Sequence, residues 1–364
     1  MVFTDIPAGL KYGYMSWPIL LGRAGKKNGE KGKHMKTQTD TIIYSGKAKT
    51  ATEHVASVIF TICGLVAVAA VVLITGYMIA QGTPALAKVG ILEVLFGTVW
   101  APTAAEPSYG IFYIILTSIV GTTMAVLIGV PIGLLTAVFL AEAAPKKLAS
   151  YVKPFIELMA GIPSIVYGLV GILILNPLMY KLELWVFADS TTHQFTGGSN
   201  LLCAVLVLAI MILPTVINMS ESSLRAVPKD YKMTSLALGA TKVQTIFKVM
   251  IPAAKSGIVT AIVLGVGRAI GEAMAICLVA GNAVNLPLPF NSVRFLTTAM
   301  VSEMAYSSGT HRQVLFTIGL VLFAFIMIIN IILNGVMKQS NVEKDKVMKT
   351  KKTKKKAKEA AANE

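Results

Sequence analysis

Charged residues are scarce in this chain: they make up 14% of 364 residues against 55% hydrophobic, with a mean hydropathy of +0.69. A soluble domain carries about 25% charged residues, so an ordinary water-soluble globule is excluded and an integral membrane protein is indicated. Cysteine is nearly absent. Cys63, Cys203 and Cys277 each fall inside an apolar run, with neither a disulfide framework nor metal-ligand spacing. The four histidines (His34, His54, His193, His311) are scattered and form no HExxH pair, so no metal site is expected. A GxxxxGK[ST] loop is also missing, because Gly46-Lys47 is followed by Ala48 and lacks the earlier glycine. The chain therefore does not hold ATP by that route. No Ser with a nearby His or paired Asp occurs in the apolar runs, which speaks against an intramembrane hydrolase. The expectation is a non-enzymatic chain that binds no cofactor of its own.

Long apolar runs are what the sequence has instead. Six are long enough to cross a hydrocarbon core, which takes about 20 helical residues: 55–80, 111–141, 152–180, 200–219, 257–281 and 314–337. The fold class is thus all-α and polytopic, with six transmembrane helices. Lys and Arg are unevenly shared between the connections. The segment before the first run holds 9, the 220–256 connection 6 and the segment after the last run 10, and Lys146, Lys147 and Lys153 flank the junction of runs two and three. The connections 81–110 and 181–199 hold one each, and 282–313 holds two. The positive-inside rule then puts both termini in the cytoplasm. The net charge of +15 has the same origin. The Lys-rich end (Lys349, Lys351, Lys352, Lys354, Lys355, Lys356, Lys358) reads as a solvated or lipid-contacting tail rather than a nucleic-acid site.

This gives an N-terminal arm over 1–54, a membrane domain over 55–337 containing the 220–256 loop, and a tail over 338–364, with both ends expected to be disordered. The Gly- and Lys-rich stretch 1–34 has no helical period and precedes Met35-Lys36, which points to translation starting at Met35.

The 220–256 connection carries a second pattern. Pro228 opens a helix, Gly239 allows a sharp turn, and Thr241 caps a second helix expected to end before Pro252. Two short helices at a bend make a knob suited to a cleft in another protein, or simply a surface hairpin. Gly239, Val249 and Pro252 match in spacing the coupling-loop signature of bacterial ABC importer permeases, in which a Glu-Ala-Ala triplet precedes the glycine by three residues. Here the triplet positions are Met233, Thr234 and Ser235, so the acidic residue is absent.

Three further stretches narrow the likeness: Phe96-Gly-Thr-Val-Trp100-Ala-Pro102, Gly161-Ile-Pro163-Ser164-Ile-Val-Tyr167-Gly168, and Gly267-Arg268-Ala-Ile-Gly271-Glu272-Ala-Met-Ala275 running on to Val279-Ala-Gly281-Asn282. Over roughly 55–337 the chain resembles phosphate-importer permeases of the PstC type. The resemblance implies a type I ABC importer permease fold, and half of a translocation path completed by a PstA-like permease subunit. It also implies an ATPase subunit dimer that docks the loop and uses ATP, and an extracytoplasmic phosphate-binding protein on the outer connections.

Arg268 and Glu272 lie one helical turn apart inside the fifth run. A charge at bilayer depth costs about 2.5 to 3.5 kcal/mol on insertion scales, so the two mark either a polar path or a fixed pair. Steps of three and four place Gly257, Ala261, Gly265, Arg268, Glu272, Ala275 and Val279 on one face, which small residues turn toward protein. Arg268 offers a donor fork for phosphate oxygens, and Glu272 an acceptor for a protonated phosphate oxygen that sulfate does not supply. Gly161 with Pro163 should interrupt the third run, where backbone near Gly161 and Ser164 is a candidate anion lining. The alternatives are a permease for another oxyanion, such as sulfate or molybdate, and an energy-independent anion channel or carrier. N-terminal sequencing of the protein from its native host should begin at Met35; residues upstream of it would overturn that start.

Overall fold

A computed structural model of the chain describes residues 47–333 and 335, with side chains from His54 onward. The arm, the Met35 start and the Lys-rich tail lie outside the described residues. The chain divides into two compact units, 1–63 and 64–364. Of the first, the described part is the opening stretch of a helix, α1, that runs Lys47–Val89.

The elements that follow are α2 (Ile91–Phe96), a two-stranded hairpin of β1 (Trp100–Ala101) and β2 (Ser108–Tyr109), α3 (Phe112–Val138) and α4 (Lys146–Gly161). Next come α5 (Ser164–Val170), α6 (Asn176–Val186), α7 (Leu201–Arg225), α8 (Lys229–Ala237) and α9 (Lys242–Thr245). The last are α10 (Ile251–Gly271), α11 (Met274–Val279), α12 (Leu296–Glu303) and α13 (Gly309–Leu333). Three π-helical turns, Phe139–Ala143, Gly171–Leu175 and Ile246–Met250, extend α3, join α5 to α6 and join α9 to α10. Six helical stretches are long and apolar enough to cross a membrane: His54–Val89, Phe112–Ala143, Ser164–Val186, Leu201–Arg225, Lys242–Gly271 and Gly309–Leu333.

Their number agrees with the sequence; several of their boundaries do not. The third span starts at Ser164 rather than 152, because Pro163 has no N–H and holds Ile162 extended (φ −68°, ψ 128°), leaving α4 as a separate helix. The fourth runs on to Arg225. The fifth begins at Lys242 and stops at Gly271 instead of 281. Pro252 does not end the second loop helix either: it sits in the first turn of α10. The π turn before it carries an Ile251 N–H to Ile246 carbonyl bond, five residues back, and so lets the chain pass the proline without a break.

The core is built around α7, two thirds of whose most apolar window is buried, against none of the corresponding window of α1. α7 packs between α3 and α10. Gly129 and Gly133 of α3 meet Ile212 and Val216, and Gly265 of α10 meets Val216 from the other side. Leu201, Leu208, Met211 and Ile212 of α7 are fully buried there beside Ile276 and Val279 of α11. A second cluster joins α3, α12 and α13 through Ile114, Leu296, Leu315 and Ile318.

α5 and α11 also approach closely. A Cβ on Gly168 would fall 3.0 Å from Ala275 Cα and 2.7 Å from Leu278 Cδ1. With backbone on one side, the site has little room to relax. Gly168→Val is expected to destabilise the detergent-solubilised protein by about 1 to 3 kcal/mol, and Gly168→Ala by less; thermal unfolding of the three proteins side by side measures the order.

Candidate functional site

Arg268 projects from the last turn of α10 and is half-buried. Its Nη1 donates to Thr215 Oγ1 on α7 at 3.3 Å. Tyr167, near the start of α5, lies within electrostatic reach of the same guanidinium. Among the described residues no carboxylate lies within ion-pair distance of Arg268.

Glu272 was expected on the same helical face, one turn on; it is not there. α10 ends at Gly271 and Glu272 is extended (φ −73°, ψ 130°). Its side chain turns to accept the Ala275 amide with Oε1 at 2.9 Å, its carbonyl accepts the Thr297 hydroxyl at 2.7 Å, and the residue is only 8% exposed. Oε2 has no hydrogen-bond partner among the described residues. Gly267 and Gly271 weaken the helix here, and the carboxylate recovers an amide of α11 that the break leaves without an intrahelical acceptor. The single face drawn through Glu272, Ala275 and Val279 therefore breaks at Gly271: Ala275 and Val279 belong to α11, which packs on α5.

A matching break separates α4 from α5. Gly161 closes α4 and is exposed, while Ser164 begins α5 and is half-buried. The Ile162 and Val166 amides already bond to the Met159 and Pro163 carbonyls, and the Tyr167 hydroxyl crosses the break to Met159 O at 2.7 Å. Beside it is a cavity of about 220 Å³ lined by Met159, Ile162, Val166, Val170, Val207 and Ile210 among others. Apart from Tyr167 its lining is apolar, so the anion lining expected from Gly161 and Ser164 is not gathered there into a polar pocket.

The 220–256 loop forms its two-helix knob. Pro228 precedes α8, Gly239 turns the chain at φ +83°, and Thr241 caps α9 with reciprocal bonds to Gln244. Of the triplet positions, Met233 and Thr234 are exposed, whereas Ser235 is buried with its Oγ 3.0 Å from Thr245 Oγ1, pinning α8 to α9. Val249 is half-buried in the π turn and Pro252 exposed. Met233 (65% exposed), Leu238 (84%), Val243 and Phe247 present apolar surface around Gly239.

Several polar groups near this loop escaped the sequence. Glu221, 2% exposed, takes Arg225 on Oε1 and Lys153 of α4 on Oε2, the latter at 3.1 Å. Arg225 Nη2 also donates to Leu140 O at 3.1 Å, and Lys232 pairs with Glu142. These contacts bind the knob and α4 to the ends of α3 and α7. The Glu221–Arg225 spacing of four was the signal for an ion pair on a continuing α7. Two more carboxylates, the buried Glu183 and the part-buried Glu303, organise the 181–199 and 282–313 connections. Glu183 accepts from Thr196 N at 2.9 Å and contacts His193 Nε2 at 2.9 Å, while Glu303 gathers Trp100 Nε1, Arg294 and His311.

An all-α membrane subunit with a broken helix at a buried charge and a two-helix knob between its fourth and fifth spans has the features of a transport permease. Residues 129–341 match the family described as binding-protein-dependent transport system inner membrane component, and the chain belongs to that family. It is 36% identical over 300 residues to the probable ABC transporter permease protein YqgH of Bacillus subtilis, covering 80% of this chain and 94% of that one. It is 37% identical to the phosphate transport system permease protein PstC of Pasteurella multocida, over 62% of this chain and 72% of the relative. A bacterial alginate ABC transporter in complex with its pentasaccharide-bound periplasmic protein superposes with a TM-score of 0.55 at 12% identity, over 78% of this chain and 94% of that one. The fold is that of a type I ABC importer permease.

Removing both cations from Glu221 (Lys153→Ala with Arg225→Ala) strands a buried carboxylate and is expected to destabilise the protein by about 3 to 5 kcal/mol. Glu221→Ala leaves only half-exposed cations behind and should cost about 1 kcal/mol or less. Denaturation in mixed detergent and SDS micelles measures the difference.

Proposed function

We propose that this chain provides half of the path by which an ATP-driven importer carries inorganic phosphate across a bacterial plasma membrane. The observation that carries the reading is Arg268: a half-buried guanidinium in a membrane-spanning helix with no carboxylate partner among the described residues. The C-terminal dipole of α10 favours a cation by about 0.3 to 1 kcal/mol, less than the cost of a charge at bilayer depth, so a mobile anion is the natural complement. A planar donor fork suits a tetrahedral oxyanion. Phosphate, rather than sulfate or molybdate, is favoured by the relatives named phosphate transport system permease protein. The free Oε2 of Glu272 supplies an acceptor for a protonated phosphate oxygen.

The remaining parts of the assembly belong to the same proposal. A PstA-like chain completes the path, and two ATPase subunits bind and hydrolyse ATP. The exposed knob around Gly239 (Met233, Thr234, Ser235, Val249 and Pro252 mark its signature positions) sits in an ATPase cleft. Ser235 acts there from within, by joining α8 to α9. An extracytoplasmic phosphate-binding protein delivers substrate to the connections 81–110, 181–199 and 282–313. Both termini are cytoplasmic, and the chain itself carries no catalytic, cofactor or metal site. The path opens alternately to each side as the knob follows ATPase closure.

In vesicles holding the co-expressed complex and ATP, labelled phosphate uptake is expected to resist excess sulfate and to fall at least tenfold with Arg268→Ala while the subunits still co-purify. Sulfate competition would overturn phosphate as substrate. Undiminished uptake by the mutant would take Arg268 off the path, and uptake that survives ATP depletion would make the protein a channel or carrier.

A further inference from the structure

Thr215 differs from seven hydroxyl residues of the spans that rest on their own helix. Thr61, Thr83, Ser118, Thr136, Ser223, Thr260 and Thr317 each donate to the carbonyl four residues back in their own helix. That is the usual resting place of a hydroxyl in an apolar helix. Among the described residues Thr215 makes no such bond, and its oxygen accepts from Arg268 on the neighbouring helix. Its position explains the reach. Gly265 of α10, one turn before Arg268, has no side chain to hold the helices apart, and a Cβ there would lie 3.0 Å from Val216 Cγ2. The close contact of α7 and α10 at Val216 brings the adjoining Thr215 within bonding distance of the guanidinium.

We propose that Thr215 is a positioning residue for anion capture: its hydroxyl anchors Nη1 of Arg268, so that the rest of the fork is presented in one orientation. The inference rests on the reading of Arg268 as the anion-binding group and assigns it a partner on a different helix. An arginine side chain has many rotamers, and ordering it at the moment of binding weakens binding. A guanidinium already held by α7 avoids part of that cost. The expected signature is a change in apparent affinity with little change in maximal rate, because the hydroxyl acts before the anion moves.

The test measures initial rates of ATP-dependent phosphate uptake, over a range of phosphate concentrations, in vesicles holding the assembled complex. Thr215→Val keeps the shape of the side chain and removes the hydroxyl; Thr215→Ser keeps the hydroxyl and removes a methyl. The expected result is a KM for phosphate raised at least about threefold in Thr215→Val, through loss of a hydrogen bond from a charged donor, with kcat within about twofold of wild type. KM should return toward wild type in Thr215→Ser. An unchanged KM in Thr215→Val, or a fall in kcat that Ser does not restore, overturns the proposal in favour of a packing role. Should Thr215→Val fail to assemble, Thr215→Ala is read by the same criteria, and failure of both with Ser intact also assigns Thr215 to packing. Arg268→Ala in the same vesicles separates the two levels. If it transports normally, the reading of Arg268 itself falls; if it is inactive while Thr215→Val keeps the wild-type KM, only the positioning role falls.

Discussion

The hydrocarbon core of a membrane offers no hydrogen bonds, so a helix broken at depth must have its loose backbone groups closed by the protein itself. Much of this structure follows from that constraint. At Ile162–Pro163 the closure comes from the Tyr167 hydroxyl on the Met159 carbonyl. Between Gly271 and Met274 it comes from the Glu272 carboxylate on the Ala275 amide and from Thr297 on the Glu272 carbonyl. Before Pro252 a π turn accommodates the proline with no break in the helix. The first two closures flank Arg268, with Tyr167 on one side and Glu272 just beyond the helix end.

What could be read from the sequence was whatever obeys local rules. The number of spans follows from run length, the stop at Gly161 and Pro163 from the absent N–H, the turn at Gly239 from its left-handed backbone, and the cap at Thr241 from its spacing to Gln244. Misread were the points where distant groups decide. Nothing near Pro252 announces that a π turn will carry it inside a helix. Nothing near Glu272 announces that Thr297, 25 residues away, will hold its carbonyl in an extended turn. Thr215 is likewise silent, since its partner is 53 residues off. For the candidate site, the charge was legible and its surroundings were not.

Glu221 with Arg225 and Arg268 with Glu272 share a spacing of four and end differently, and the contrast explains why Arg268 has no carboxylate partner among the described residues. In Glu221 and Arg225 the acid precedes the base, the favoured order on a helix. Arg225 also sits in the last turn, where the dipole welcomes a cation. The helix runs through both, and they pair. In Arg268 and Glu272 the order is reversed, so a continuing helix would gain less from the pair. The chain ends α10 between them, leaving Arg268 in the last turn of α10 and placing Glu272 just before the first amides of α11, where the dipole favours an anion. Each charge therefore meets a helix terminus of the right sign instead of its neighbour. A self-contained ion pair would have been electrically complete and of little use to a passing anion; the broken helix keeps the two charges unpaired with each other and, among the described residues, leaves the guanidinium tied by one hydrogen bond, to the uncharged hydroxyl of Thr215.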